Sequence, residues 1–246
     1  MPAILTISIW LTWTQTTIWS DVFVQHTAWA NEKPRSIRAQ ITLADYLNLA
    51  RLPVLGMERL QLAHSFYPNE VTIALFMWNQ SCEYDLPAPL SLDDIANNRE
   101  LEYYRDDVNH HLQTLIENLI QGTCEFPELS TLESLFDRIG ELPLPDPRRT
   151  GYHVHYSDLY VYYGMLDPAL INLSRAFALN PVPDFPIRQA IMAASAGNFS
   201  DGLVFLGRAR EAEENNNPLL PSTMDEINRL EQDFNQRLRS GAEIPN

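Results

Sequence analysis

The sequence predicts an all-α protein of stacked antiparallel helix hairpins, closed by a C-terminal capping helix. Three observations carry this expectation. Apolar residues recur at a helical spacing along most of the chain, glycine is scarce at 9 of 246 residues, and four small or leucine positions return in fixed register 33 residues later. The run Val71-Thr72-Ile73-Ala74-Leu75-Phe76 is too isolated to imply a sheet. With 45% apolar residues, a chain of 246 can bury a substantial core as one extended helical domain or two small ones.

Residues 1–20 carry no charged side chain, and Trp10, Trp13 and Trp19 point to a membrane–water interface. The apolar run Ala3 to Trp13 is shorter than the roughly 20 residues that span a bilayer, and it lacks the basic start of a signal peptide. Three readings stay open: the outer half of a transmembrane helix that begins before Met1, an atypical signal sequence, or a helix packed on the domain. Ala28-Trp29-Ala30 resembles a cleavage site but lies far from the apolar run.

The first hairpin pattern is Leu43-Ala44-x-x-Leu47, then Gly56-x-x-x-Leu60, Ala63 and Pro68, with Pro34 one 34-residue period before Pro68. Residues 71 to 148 fit a diverged pair of hairpins. They hold a helix near 71–82, a Pro-containing connection at Asp85-Leu86-Pro87-Ala88-Pro89, and helices within 92–121 and 129–139. Pro143, Pro145 and Pro147 mark the best boundary. The expected organisation is an N-terminal segment 1–20, an acidic hairpin region 21–141, a connection 142–149, two repeats 150–217, and a capping helix with its tail 218–246.

Self-comparison aligns Gly164, Ala169, Leu173 and Ala176 with Gly197, Gly202, Leu206 and Ala209. The first unit continues to Pro181 and has Ser157 as the small residue of its first helix. Small residues let the two helices approach closely, leucine and aromatic positions fill the space between hairpins, and proline stops the second helix. Each hairpin leaves an apolar face open, so units stack and the end needs a polar cap. Residues 222–239 supply it: Ser222 and Thr223 precede Asp225 and Glu226, and Met224, Ile227, Leu230, Phe234 and Leu238 form an apolar stripe. This pattern resembles the tetratricopeptide (TPR) repeat.

Net charge is −15, and between Glu83 and Glu141 fourteen acids face only Arg99, Arg105 and Arg138. Such a field repels nucleic acid and anionic membrane surfaces. Cys82 and Cys124 each end an apolar helical segment. In an oxidising compartment they form a disulfide with stabilisation on the order of 3 to 4 kcal/mol; in a reducing one they remain two buried thiols. Neither has the spacing of a zinc site, and His110-His111 lie adjacent, not four apart. Asp93-Asp94 and Asp106-Asp107 read as helix starts and solvated faces. No catalytic residue, cofactor site or metal site is expected. The aromatic-rich segment Tyr152 to Tyr163 offers His155, Asp158 and Tyr162 as groove candidates for a protein or peptide partner.

Beyond the repeat, the layout is similar to the soluble C-terminal region of bacterial multispan O-antigen ligase/polymerase-like glycosyltransferases. The similarity rests on the Ile18-Trp19-Ser20-Asp21 exit, the Pro34-Arg35-Ser36-Ile37-Arg38-Ala39 stretch, the two cysteines and the terminal repeats. It implies that residues 21–246 lie in the periplasm beside the inner membrane, with Cys82 and Cys124 oxidised. The membrane portion that carries catalysis in that family is lacking, so no catalytic position transfers. Met1 is then an internal start, or the chain is a detached module. The expected function is a non-catalytic interaction scaffold in cell-envelope glycan assembly; the alternative is a cytoplasmic TPR adaptor.

Overall fold

The protein is all-helical. The structure, a computed structural model, describes residues 6–8, 10, 12–13, 16, 20–103, 108–124, 127–215 and 221–240. It divides into two compact units, Met1–Leu142 and Pro143–Asn246. Most of the N-terminal segment 1–20 lies outside the described residues, and among those described no helix is long and apolar enough to cross a membrane.

In the first unit, α1 (Val22–Glu32) starts where the Asp21 carboxylate accepts the Phe23 and Val24 amides, satisfying donors that the first turn leaves free. Ser36 caps α2 (Ile37–Leu49) in the same way, and Pro53 opens α3 (Pro53–Phe66), where a missing amide costs nothing. The segment Val71–Tyr84, whose apolar run suggested no sheet, is helix α4, buried from Val71 to Ser81. Ile41, Ala44, Met57, Leu60, Ala63, Ile73, Phe76 and Met77 form the core among α2, α3 and α4.

The 71–148 region departs from a pair of successive hairpins. After α4 come α5 (Leu92–Asn97), α6 (Val108–Gln121) and α7 (Leu129–Gly140), and their pairing interleaves: α4 packs on α6, and α5 on α7. The cause is a chain reversal at 98–102. Glu102 exchanges backbone hydrogen bonds with Asn69 and Val71, and the Arg138 side chain of α7 donates to the Asn98 and Arg99 carbonyls. Asp93 and Asp94 act at the start of α5. Asp94 completes a capping box with Ser91, and Asp93 accepts from Thr131 of α7. Asp106 and Asp107 lie outside the described residues.

The second unit is sequential. Helices α8 (Asp146–Tyr162), α9 (Leu166–Leu179), α10 (Asp184–Ser195), α11 (Phe199–Glu214) and α12 (Met224–Ser240) each pack on the next. Ile227 and Phe234 of α12 seal a core with Ile187, Ala190, Ala194, Phe199, Leu206 and Ala209. Leu238, expected in that apolar stripe, is exposed because it lies one turn beyond Phe234, the last buried residue of the helix. At the start of α12, Ser222 accepts the Met224 amide, whereas Thr223 is drawn back to Glu213 of α11.

Hairpins α2–α3, α8–α9 and α10–α11 share one internal geometry. The pairs Ala44/Gly56, Ser157/Ala169 and Ala190/Gly202, each twelve residues apart, mark the close approach. A Cβ on Gly56 would sit 3.2 Å from the Ala44 carbonyl oxygen, and one on Gly202 3.3 Å from that of Ala190. Each hairpin turns through one left-handed residue, Arg51 (φ 62°), Gly164 (φ 72°) or Gly197 (φ 83°). The same hydrogen bonds close all three turns: Arg51 to Asn48 and Leu52 to Leu47, Gly164 to Val161 and Met165 to Tyr160, Gly197 to Ala194 and Asn198 to Ala193. Left-handed backbone costs a residue with a side chain about 1 to 2 kcal/mol. Arg51→Gly therefore raises the urea midpoint of the first unit by the equivalent of about 1 kcal/mol, and Gly164→Ala lowers that of the second by a similar amount. Equal midpoints for Arg51→Gly and wild type would show the turn to be unstrained.

Gly56 also makes room for a polar bridge. Gln80 of α4, 1% exposed, donates to Asn48 Oδ1 of α2 (2.9 Å) and to the Pro53 carbonyl of α3 (2.6 Å). A Cβ on Gly56 would lie 2.5 Å from Asn48 Oδ1 and 2.9 Å from Gln80 Nε2. Gly56→Ala displaces both partners of a buried amide pair, and its expected cost is about 2 kcal/mol despite alanine's better helix propensity. A melt of the variant as stable as wild type would contradict that geometry.

Candidate functional site

Helix α8 sorts its aromatic side chains by face. Tyr152, Tyr156 and Tyr160, four residues apart, are buried; the Tyr156 and Tyr160 rings stack at 4.8 Å and Tyr160 donates to the Tyr156 hydroxyl at 3.0 Å. His153 Nδ1–H donates to Asn172 Oδ1 of α9 at 3.1 Å, an orientation set by Asn172 Nδ2 donating to the Pro168 carbonyl. Burial lowers the His153 pKa, with the Asn172 bond opposing and Arg175 and Arg149 adding to the fall, so this ring is neutral at pH 7. It is a packing group between helices.

Of the groove candidates, His155 is half-buried, Tyr162 is exposed, and Asp158 is ion-paired with Arg188 of α10. Burial lowers the Arg188 pKa from its ordinary value, yet a guanidinium stays charged at any physiological pH. The pair ties α8 to α10. One turn further along each helix the side chains are apolar and exposed: Val161 and Tyr162 after Asp158, and Ile191 after Arg188. Exposed apolar and aromatic side chains thus flank a partly buried ion pair. The repeat-defining residues have another role. Ala169, Leu173, Ala176, Gly202, Leu206 and Ala209 are buried, Gly164 and Gly197 make turns, and Pro181 follows the end of α9.

The first unit holds a cleft of about 480 Å³ beside the Cys82–Cys124 disulfide, lined by Trp78, Asp85, Leu86, Ser91, Asp93 and Thr123 among others. Sequence reasoning found the cysteines but not the cleft, because α5 reaches it only through the interleaved pairing. Next to it, Asn79 of α4 donates to the His111 carbonyl, and the His111 ring stacks on Phe76 at 4.8 Å. Burial, with a smaller contribution from the His110 charge, pushes the His111 pKa down to about 3. The adjacent histidines thus differ, His110 exposed and His111 in the core. Among the described residues no group of three His, Cys, Asp or Glu side chains converges as metal ligands would. Neither a protein-family model nor a curated protein matches the chain.

Proposed function

We propose that the protein is a non-catalytic, TPR-like interaction scaffold, held near a membrane in an oxidising compartment, where it takes part in cell-envelope glycan assembly. One observation carries the scaffold reading. Three hairpins with the same left-handed turn and the same leucine and alanine positions, two of them with the same close approach at a glycine, are the units from which helical solenoids are stacked, and such stacks present binding surfaces without chemistry of their own. The joined Cys82 and Cys124 favour a periplasmic location. The glycan context comes from the likeness of the Pro34–Ala39 stretch, where Ser36 caps α2, to multispan O-antigen ligase-like proteins.

The test uses source cells expressing the full chain with a photo-crosslinking residue at Tyr162, or at Val204 on α11 as a control. A discrete protein adduct from position 162, absent from 204, is the expected result. Adducts alike at both positions, or none, would count against a recognition surface on α8. In the same cells the cysteines should resist alkylation until reductant is added; immediate labelling would point instead to a cytoplasmic adaptor. Glycan transfer by the purified chain would overturn the non-catalytic reading.

A further inference from the structure

Helices α1 and α2 are antiparallel: the His26 ring stacks on Tyr46 at 4.6 Å, and Gln40 Nε2 donates to the Ala30 carbonyl at 2.7 Å. The start of α1 therefore comes to the end of α2, where the chain turns into α3. This end of the first unit exposes several apolar side chains, with Asp21, Asp45 and Glu58 as the nearby acids on α1, α2 and α3. Leu49 is 78% exposed and Val54 57%, and Phe23, Leu52 and Leu55 are exposed beside them in the same turn or at the start of α1. From Asn48 to Met57 the only charged residue is Arg51, in a chain whose net charge is −15. The turn also keeps a residue with a side chain at its left-handed position, where the two related hairpins have glycine.

The same end receives the N-terminal segment. Residues 1–20 carry no charged side chain and lead directly into Asp21 and α1; of those described, Ile7, Trp10 and Trp13 are exposed. The join of that segment to Asp21 thus lies at the end of the unit that carries the turn of exposed leucine and valine. Exposed apolar side chains beside one arginine suit the interface of a bilayer, where aliphatic groups enter the acyl boundary and the guanidinium remains among headgroups.

We infer that the α2–α3 turn is a membrane foot: Leu49, Leu52, Val54 and Leu55, with Phe23 of α1, rest in the lipid interface at the point where the N-terminal segment leaves it. This inference rests on the membrane-proximal part of the proposed function and adds which surface faces the lipid. Attraction is apolar, because the acidic chain is repelled by anionic lipid. Neutral phosphatidylcholine is therefore the fitting surface, and contact should persist in high salt.

The experiment uses the full chain with its disulfide intact and an environment-sensitive fluorophore on Leu49→Cys or, as a control, on Val204→Cys. Each is mixed with phosphatidylcholine vesicles containing brominated acyl chains, and flotation is measured in parallel. The inference expects the chain to float, with the probe at 49 blue-shifted and quenched several-fold more than the probe at 204. Adding Val54→Asp, a change at an exposed site, should reduce the quenching at 49 while helical circular dichroism is unchanged. Flotation without quenching at 49 would overturn the foot and leave the membrane-proximal reading intact. A chain that does not float would overturn both. A probe at 49 shielded without vesicles, increasingly so with protein concentration, would mean that a second copy covers the turn, and would also overturn it.

Discussion

Lowering the pH from 7 toward 3 is expected to destabilise the first unit through His111, by an amount that His111→Gln removes. The folded pKa is near 3 and the ordinary value 6.5, because the ring is buried against Phe76 beside His110. Below 6.5 the unfolded chain takes up a proton that the folded chain refuses, so stability falls with each pH step until about 3. At about 1.4 kcal/mol per pH unit the full loss is on the order of 5 kcal/mol. Asp45 runs the other way. Desolvation pushes its carboxyl up to about 6, with His110 opposing, although the residue keeps solvent contact; protonation between about 6 and 4 therefore favours the folded state. Both wild type and variant contain Asp45, so the difference between their pH profiles isolates His111. The five tryptophans all lie at or before Trp78, and their emission during urea titration reports the first unit. Parallel profiles for the two proteins would show that His111 takes up its proton in the folded state.

Cys82→Ser with Cys124→Ser is expected to cost the first unit about 4 kcal/mol, from the closure entropy of a loop spanning 42 residues. That loop contains α5 and α6, the part of the unit whose pairing is not sequential, so the unfolded chain without the bridge has more wrong arrangements available. The melt of the second unit, followed by circular dichroism after the tryptophan transition, should not shift. Wild type in reductant should reproduce the variant. A variant with the wild-type midpoint would mean that packing alone holds α4 to α6.

The hairpins were legible where side-chain size is itself the requirement. Ala169, Leu173 and Ala176 recur as Gly202, Leu206 and Ala209 because each position tolerates only what fits between two helices. Arg51 escaped notice because a turn marked by glycine in two hairpins is occupied by arginine in the third, and residue identity does not reveal a strained backbone. The interleaving of α4 to α7 was hidden for another reason. Periodicity says which face of a helix is apolar, not which partner covers it, and the pairing is set by the 98–102 reversal and by Arg138. Leu49, Leu52 and Leu55 lie between Leu47 and Gly56, where the hairpin pattern assigns no face, and the structure leaves them uncovered. On α8 the sequence marked Tyr152 to Tyr163 as aromatic-rich without sorting its faces; the structure buries Tyr152, Tyr156 and Tyr160 and leaves Tyr162 exposed.

The contrast in pairing order has a consequence for how each unit opens. In the second unit the helices pack chiefly on their neighbours in sequence, with the Asp158–Arg188 pair and the Phe234 contact reaching one helix further, so amide protons can exchange from the ends inward, α12 releasing before α9, each step exposing one more layer. In the first unit the strap at 98–102 and the disulfide lock α4, α5, α6 and α7 across one another, and no single helix of that group can leave without dragging a second. The first unit behaves as a knot-like latch that holds or fails as a whole, the second as a zipper.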